Sequence, residues 1–110
     1  MQTRCRSMEN IRVYGMSQYV VYTKSGCGYC DKVKTLLKDV MPSPQIILCD
    51  IRLKTEESKD AFLVEMMSKI GWLHKTFPMV FLNGRFVGGY AETLKLYERS
   101  RLLDLVDNDF

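Results

Sequence analysis

The chain has 110 residues, 46% of them hydrophobic and 26% charged, a composition typical of a single soluble globular domain. A net charge of +3 is too small to predict a nucleic-acid-binding surface, and no apolar run approaches the roughly 18 residues of a membrane span. Four cysteines in so short a chain need a chemical explanation, because no secretory signal points to a disulfide framework.

Residues 1–14 contain three arginines and one acidic residue, without the apolar segment of a secretory signal. We expect them to form an N-terminal extension, poorly ordered or a short helix, ahead of one domain over residues 15–110. The missing secretory signal favours a cytoplasmic protein. The arginines leave organelle targeting of a longer precursor open.

The first half of the domain predicts a strand, a helix and a second strand. Residues 19–23 are β-branched and aromatic, which favours a short buried strand. From residue 27 to about residue 40, apolar residues recur at helical spacing, and two prolines in 41–44 end the helix. Residues 45–49 are apolar almost without alternation, which predicts a second strand with both faces covered.

The second half predicts a helix, a β-hairpin and a last helix. Thr55 suits a helix N-cap and Gly71 a C-cap. Residues 78–82 and 85–87 predict two strands joined by an Asn-Gly turn, the strongest hairpin signal in the chain. Gly88-Gly89 ends the hairpin, and a helix follows from about Ala91, with a break expected near Ser100.

The element order is therefore β-α-β-α-β-β-α, which predicts the α/β class. A right-handed crossover makes the first two strands parallel, and the hairpin makes the last two antiparallel. We expect a mixed four-stranded sheet flanked by helices on both faces.

Two cysteines, Cys27 and Cys30, lie where the first strand gives way to the first helix. A spacing of three brings the two sulfurs close together in the first helical turn. Free backbone N–H groups and the positive end of the helix dipole favour a thiolate at Cys27, and Lys24 adds a positive charge. A thiolate at this position is a nucleophile at neutral pH.

Three interpretations of these cysteines compete. A structural zinc site needs four ligands, usually in two pairs, and Cys5, Cys49 and His74 form no second pair. Both cysteines could instead be ordinary core residues. C-x-x-C opening a helix after a strand in a βαβ pattern favours a third interpretation, redox chemistry. Cys49 itself lies in an apolar strand and is expected to be buried.

Three motifs together indicate a family: residues 23–30 (TKSGCGYC), 76–78 (TFP) and 88–90 (GGY). In this order and at these separations the chain resembles the dithiol glutaredoxins of the thioredoxin superfamily, over roughly residues 15 to 106. The resemblance implies a thioredoxin-like fold. Thioredoxins usually have Trp before the first cysteine and Gly-Pro between the pair, whereas this chain has Gly26 and Gly28-Tyr29.

The resemblance implies a glutathione-dependent thiol–disulfide oxidoreductase, active on protein–glutathione mixed disulfides and on protein disulfides. Cys27 would be the nucleophile and Cys30 the resolving thiol, and the two would form the redox disulfide. Glutathione would be the co-substrate, and glutathionylated or disulfide-containing proteins the partners. The chain would be a monomer, unless a cluster bridges two chains, and would bind neither nucleic acid nor membrane.

The resemblance also implies a glutathione site, with Pro78 in the cis form and the Phe77 backbone pairing with the peptide. Its residues would be Lys24, Tyr29, Lys75, Thr76, Phe77, Pro78, Gly89, Tyr90, Ala91 and Glu92. After Tyr90 the family often has Ser or Thr followed by Asp, and this chain has Ala91-Glu92. The change removes a hydroxyl ligand and moves the carboxylate of Glu92 one methylene further out.

Two alternatives stay open. One is a thioredoxin-like disulfide reductase served by a flavoenzyme. The other is a carrier of a [2Fe–2S] cluster held between two subunits, with Cys27 and glutathione as ligands. The second follows from Gly28, because relatives with Gly or Ser in place of Pro at this position include cluster-binding proteins.

Overall fold

The computed structural model describes residues 18–108, so the expected N-terminal extension, residues 1–14, lies outside the described part of the chain. Four strands alternate with three helices, and a single 3-10 turn, Ile51–Leu53, precedes the second helix. The elements are β1 (Tyr19–Thr23), α1 (Gly28–Leu36), β2 (Gln45–Leu48), α2 (Glu56–Ile70), β3 (Met79–Leu82), β4 (Arg85–Gly88) and α3 (Tyr90–Asn108).

The strands form one mixed sheet in the order β2-β1-β3-β4. β1 pairs parallel with β2 and antiparallel with β3, and β3 pairs antiparallel with β4. At the hairpin, Asn83 and Gly84 both have positive φ, 53° and 85°, which is the backbone that an Asn-Gly turn favours. The predicted sheet is confirmed.

Helices cover both faces of the sheet, as predicted. On one face, Phe62 and Met66 of α2 pack against Met79 of the sheet, and all three are fully buried. The opposite face lies under α1 and α3 and is centred on Val21, Val33, Leu37 and Val80. The sheet is thus the middle of three layers, with β1 and β3 inside it.

The prediction that the second strand is covered on both faces is wrong. β2 lies at the edge of the sheet, and the side chains of Ile46 and Leu48 are 42% and 60% exposed. Only Ile47 packs against the core under α2. The apolar sequence of this strand reflects β propensity more than burial.

Two helix boundaries also differ from the sequence prediction. α1 ends at Leu36, four residues before the expected end, although Leu37 remains fully buried and Val40 packs beside it through a turn. α3 continues without a break through Ser100. A serine costs a helix little, and the residues that follow contain neither Gly nor Pro. Within residues 18–108 no helix is both long enough and apolar enough to cross a membrane.

Candidate active site

Cys27 is the N-cap residue of α1 and lies just beyond the carboxyl end of β1. Its backbone is extended, and its Sγ accepts a hydrogen bond from the backbone N–H of Cys30 at 3.1 Å. The thiol also lies 3.7 Å from the carbonyl oxygen of Phe77. Because the first N–H groups of a helix have no partner within it, the sulfur receives a donor that stabilises negative charge.

Cys30 lies one turn further along α1 and is fully buried. Loss of solvent, and then the hydrogen bond with Cys27, raise the pKa of Cys30 to about 12. Cys30 is therefore a protonated thiol at neutral pH. The dithiol, in its reduced form here, has one partly exposed sulfur and one enclosed sulfur.

A cleft of about 550 Å³ opens beside the dithiol, between the turn before α1, the segment that enters β3, and the start of α3. The structure brings together at this cleft nine of the ten residues that the resemblance implied for glutathione. They are Lys24, Tyr29, Lys75, Thr76, Phe77, Pro78, Gly89, Tyr90 and Ala91. The Phe77–Pro78 peptide bond is cis, as expected.

Aromatic rings and lysines form the walls of the cleft. The rings of Tyr29 and Tyr90 stack at 6.0 Å between centroids, which joins α1 to α3 beside the nucleophile. The Nζ of Lys32 lies 5.1 Å and 5.6 Å from the centroids of these two rings. On the other side, the Nζ of Lys24 lies 5.5 Å from the centroid of Phe77. Lys32, for which the sequence indicated no role, thus has a cation–π position beside both rings.

Glu92, the tenth implied residue, does not line the cleft and instead caps its own helix. Its Oε1 accepts from the backbone N–H of Gly89 at 2.8 Å, and this bond holds the pKa of the Glu92 carboxyl below its usual value. Gly88 makes room for this carboxylate, because its φ is +134° and a Cβ there would lie 2.8 Å from the Glu92 side chain. Gly89 has no such steric requirement.

Two residues to which the sequence assigned no role, Trp72 and His74, lie in the loop between α2 and the cleft residue Thr76. His74 Nε2 lies 3.1 Å from Thr76 Oγ1, and its ring meets Phe86 edge-on at 5.0 Å. Trp72 is 57% exposed and packs edge-on against the same Phe86 ring at 5.8 Å. These contacts connect the loop after α2 to Thr76.

Asp50 is a further residue that sequence reasoning missed. It follows β2, and its carboxylate accepts hydrogen bonds from the backbone N–H of Ser25, at 2.9 Å, and from the Ser25 hydroxyl. A signal was present in the sequence: β1 and β2 are parallel neighbours, so the residues after them meet at the same edge of the sheet.

Cys49 is buried, as expected, and lies in the core under α2. Among residues 18–108, no cluster of three or more His, Cys, Asp or Glu side chains could hold a metal ion. Cys5 lies outside the described residues. The chemistry that this site offers is that of the Cys27–Cys30 pair.

Known proteins are similar to this chain in sequence. The family model for glutaredoxin matches residues 19–87. The chain is 32% identical over 87 residues to "Glutaredoxin-2, mitochondrial" of Mus musculus, which covers 79% of this chain and 52% of the mouse protein. It is also 32% identical over 92 residues to Glutaredoxin-C8 of Oryza sativa subsp. japonica, covering 82% and 63%. The chain thus spans about half the length of the mouse relative.

Solved structures agree in fold. A buckwheat glutaredoxin–glutathione complex superimposes with a TM-score of 0.59 at 26% identity, covering 88% of this chain and 83% of that one. The holo form of glutaredoxin C1 from Populus tremula x tremuloides gives a TM-score of 0.59 at 29% identity, covering 82% and 83%. The fold is thioredoxin-like, and the chain belongs to the glutaredoxin family.

Proposed function

We propose that this chain is a glutathione-dependent thiol–disulfide oxidoreductase. The observation that carries the proposal is the cleft beside the partly exposed Cys27, lined by two lysines and by aromatic rings. A tripeptide with two carboxylates and a sulfur matches this lining in charge and chemistry. The buckwheat relative, whose structure is a complex with glutathione, adds support.

On a protein–glutathione mixed disulfide, the Cys27 thiolate attacks the glutathione sulfur. The disulfide bond of the substrate breaks, the protein leaves as a thiolate, and Cys27 carries the glutathionyl group. The thiolate of a second glutathione then attacks the glutathionyl sulfur, which gives glutathione disulfide and returns Cys27 to the thiolate form. Cys30 takes no part in this sequence, which agrees with its burial and its pKa of about 12.

On a protein disulfide, Cys27 attacks one sulfur and forms a mixed disulfide with the protein. Cys30 then loses its proton, attacks the Cys27 sulfur and releases the substrate as a dithiol. Two glutathione molecules reduce the resulting Cys27–Cys30 disulfide. Because Cys30 must first lose a proton that burial holds tightly, we expect this route to be slower than deglutathionylation.

We assign glutathione contacts as follows. Lys24 and Lys75 bind the glycine carboxylate, the Phe77 backbone pairs with the peptide, and Tyr29 flanks the bound sulfur. The γ-glutamyl end meets the backbone N–H groups at the start of α3. Glu92 is not among these contacts, because its carboxylate lies outside the lining of the cleft and accepts from the N–H of Gly89.

The test is the electron donor. Reduction of a glutathionylated peptide is followed with glutathione and glutathione reductase, and reduction of a protein disulfide with a thioredoxin reductase system. We expect turnover with glutathione, and none from Cys27→Ser. Turnover only with the flavoenzyme would favour the thioredoxin-like alternative.

The expected compartment, the cytoplasm, remains a prediction.

A [2Fe–2S] carrier is the second candidate, because each chain offers one partly exposed active-site sulfur, that of Cys27, whereas Cys30 is buried. Two chains and two glutathiones would supply four sulfur ligands. Gly28 is the first residue of α1, a position that proline favours, and a Cβ built there has no atom within 4 Å, so Gly28→Pro tests this idea. After anaerobic reconstitution with iron, sulfide and glutathione, a brown dimer that Gly28→Pro cannot form supports the candidate. A colourless monomer excludes it.

A further inference from the structure

The turn of residues 24–26 joins β1 to α1 and carries two groups that the proposed function uses. Lys24 precedes Ser25 and Gly26, and Cys27 follows them. Packing does little to hold this turn: its three residues are exposed, and no atom lies within 4 Å of a Cβ built at Gly26, whose φ is +71°. The relative position of Lys24 and Cys27 therefore depends on something other than packing.

Hydrogen bonds from the neighbouring strand fix this turn. The backbone N–H of Cys49 donates to the carbonyl of Thr23 at 2.8 Å, which extends the β1–β2 ladder by one residue. Beyond that point the side chain of Asp50 continues the pairing. One carboxylate oxygen accepts from the Ser25 N–H at 2.9 Å and the other from the Ser25 hydroxyl.

Both carboxylate oxygens of Asp50 therefore accept hydrogen bonds from the same residue, Ser25. The hydrogen bonds from Ser25 also hold the pKa of the Asp50 carboxyl below its usual value, so the contact is charged at neutral pH. Ser25 lies in the sequence between Lys24 and Cys27, the two residues that would contact the ligand.

We propose that Asp50 is a positioning residue for glutathione-bearing substrates: by holding Ser25 it sets the position of the Lys24 ammonium relative to the Cys27 sulfur. This inference rests on the proposed function. A glutathionyl group must place its glycine carboxylate on Lys24 and its sulfur on Cys27 at once. A turn that is already ordered avoids the entropy cost of ordering it upon binding.

Steady-state kinetics with a glutathionylated peptide test this inference in wild type, Asp50→Ala, Ser25→Ala and Lys24→Ala. We expect Asp50→Ala to raise KM about tenfold, because it removes both hydrogen bonds that a charged group accepts from Ser25. kcat should change much less. Ser25→Ala keeps the hydrogen bond from the backbone N–H and should raise KM by less. Ser25→Thr keeps the hydroxyl as well and should have the wild-type KM.

Glu65→Ala is the matched control, because Glu65 is also a carboxylate whose oxygen bonds a neighbour, Arg52 at 2.7 Å. It should leave KM unchanged. If Asp50 acts through the position of Lys24, the double variant Asp50→Ala/Lys24→Ala should be little worse than Lys24→Ala alone.

Single-turnover reaction of Cys27 with 4,4′-dithiodipyridine, a disulfide without carboxylates, separates positioning from general damage. We expect Asp50→Ala to react at the wild-type rate. An equal slowing with this reagent, additive losses in the double variant, or an unchanged KM would each overturn the inference and leave the proposed function intact. Absence of glutathione-dependent turnover in the wild type would instead overturn the proposed function, and the inference with it.

Discussion

Cys27 and Cys30 lie one helical turn apart and have different surroundings. Cys27 stands outside the helix as its N-cap and accepts a backbone N–H, whereas Cys30 points to the same buried side of α1 as Val33. The solvent lost around Cys30 raises its pKa and favours its thiol form. An accessible thiolate attacks substrates first, and an enclosed thiol can only attack a sulfur that is already bonded to Cys27.

The two cysteines should therefore respond differently to substitution. Cys27→Ser should abolish all disulfide exchange, because no other active-site thiol is accessible. Cys30→Ser should retain most deglutathionylation and lose reduction of protein disulfides by tenfold or more, roughly the change expected when the resolving attack is removed. Both activities are measured by NADPH consumption coupled to glutathione reductase. Equal losses of deglutathionylation in the two variants would contradict these roles.

At the scale of the elements, α3 begins with a cap that its own sequence supplies. Glu92, the third residue of the helix, reaches back to the N–H of Gly89, and Thr93 Oγ1 donates to the Gly89 carbonyl at 2.7 Å. This is the arrangement in which a Glu at the third position satisfies the N–H of the N-cap residue. The negative charge also faces the positive end of the helix dipole.

We predict that Glu92→Ala lowers the free energy of unfolding by about 0.5–1 kcal/mol at pH 7. The pKa of Glu92 is lowered from its ordinary value of 4.5 in the folded chain. Its stabilisation is therefore present above pH 4.5 and is lost as the pH falls through the folded value. Urea unfolding of the wild type and of Glu92→Ala should show a smaller difference in the free energy of unfolding at pH 3 than at pH 7.

Glu98→Ala is the control for this prediction, because Glu98 is an exposed residue of the same helix. Glu98→Ala should change the free energy of unfolding only slightly, and this change should not become smaller between pH 7 and pH 3. A Glu92→Ala loss of the same size at pH 3 and pH 7 would show that the carboxylate charge contributes nothing to the cap.

At the scale of the whole molecule, stability depends on the two apolar layers on either side of the sheet. Phe62 on α2 is fully buried and its ring stacks parallel to Phe77 at 6.0 Å, so one core residue also supports the wall of the cleft. Removal of a buried ring leaves a cavity that the surroundings fill only partly. Core and cleft are therefore coupled in this small domain.

Phe62→Ala should lower the free energy of unfolding by about 3–5 kcal/mol. Val64→Ala, two residues away on the same helix but 60% exposed, should cost nothing, since alanine is the better helix former. Chemical denaturation checks both values. A small loss from Phe62→Ala would show that the core under α2 can collapse around the missing ring.

Much of this architecture could be predicted from local sequence. The Asn83-Gly84 turn, the helix cap at Thr55 and the strand at 19–23 each follow from local chemistry, and the C-x-x-C spacing identified the dithiol. The exposure of Leu48 could not be predicted, because an apolar sequence does not show whether its strand lies at the edge of a sheet or in the middle. The roles of Asp50 and Glu92 depend on hydrogen bonds that form only once the sheet edge and the start of α3 are in place.

Trp72 is the single tryptophan of the chain, and its position gives the protein a native optical probe. The indole is half exposed and rests on Phe86, whose ring also contacts His74, the hydrogen-bond partner of Thr76 in the cleft. The tryptophan emission of the unmodified protein therefore comes from one residue, in the loop that leads to Thr76. Titration with glutathione can be followed through its emission without a label, and Trp72→Phe supplies the blank.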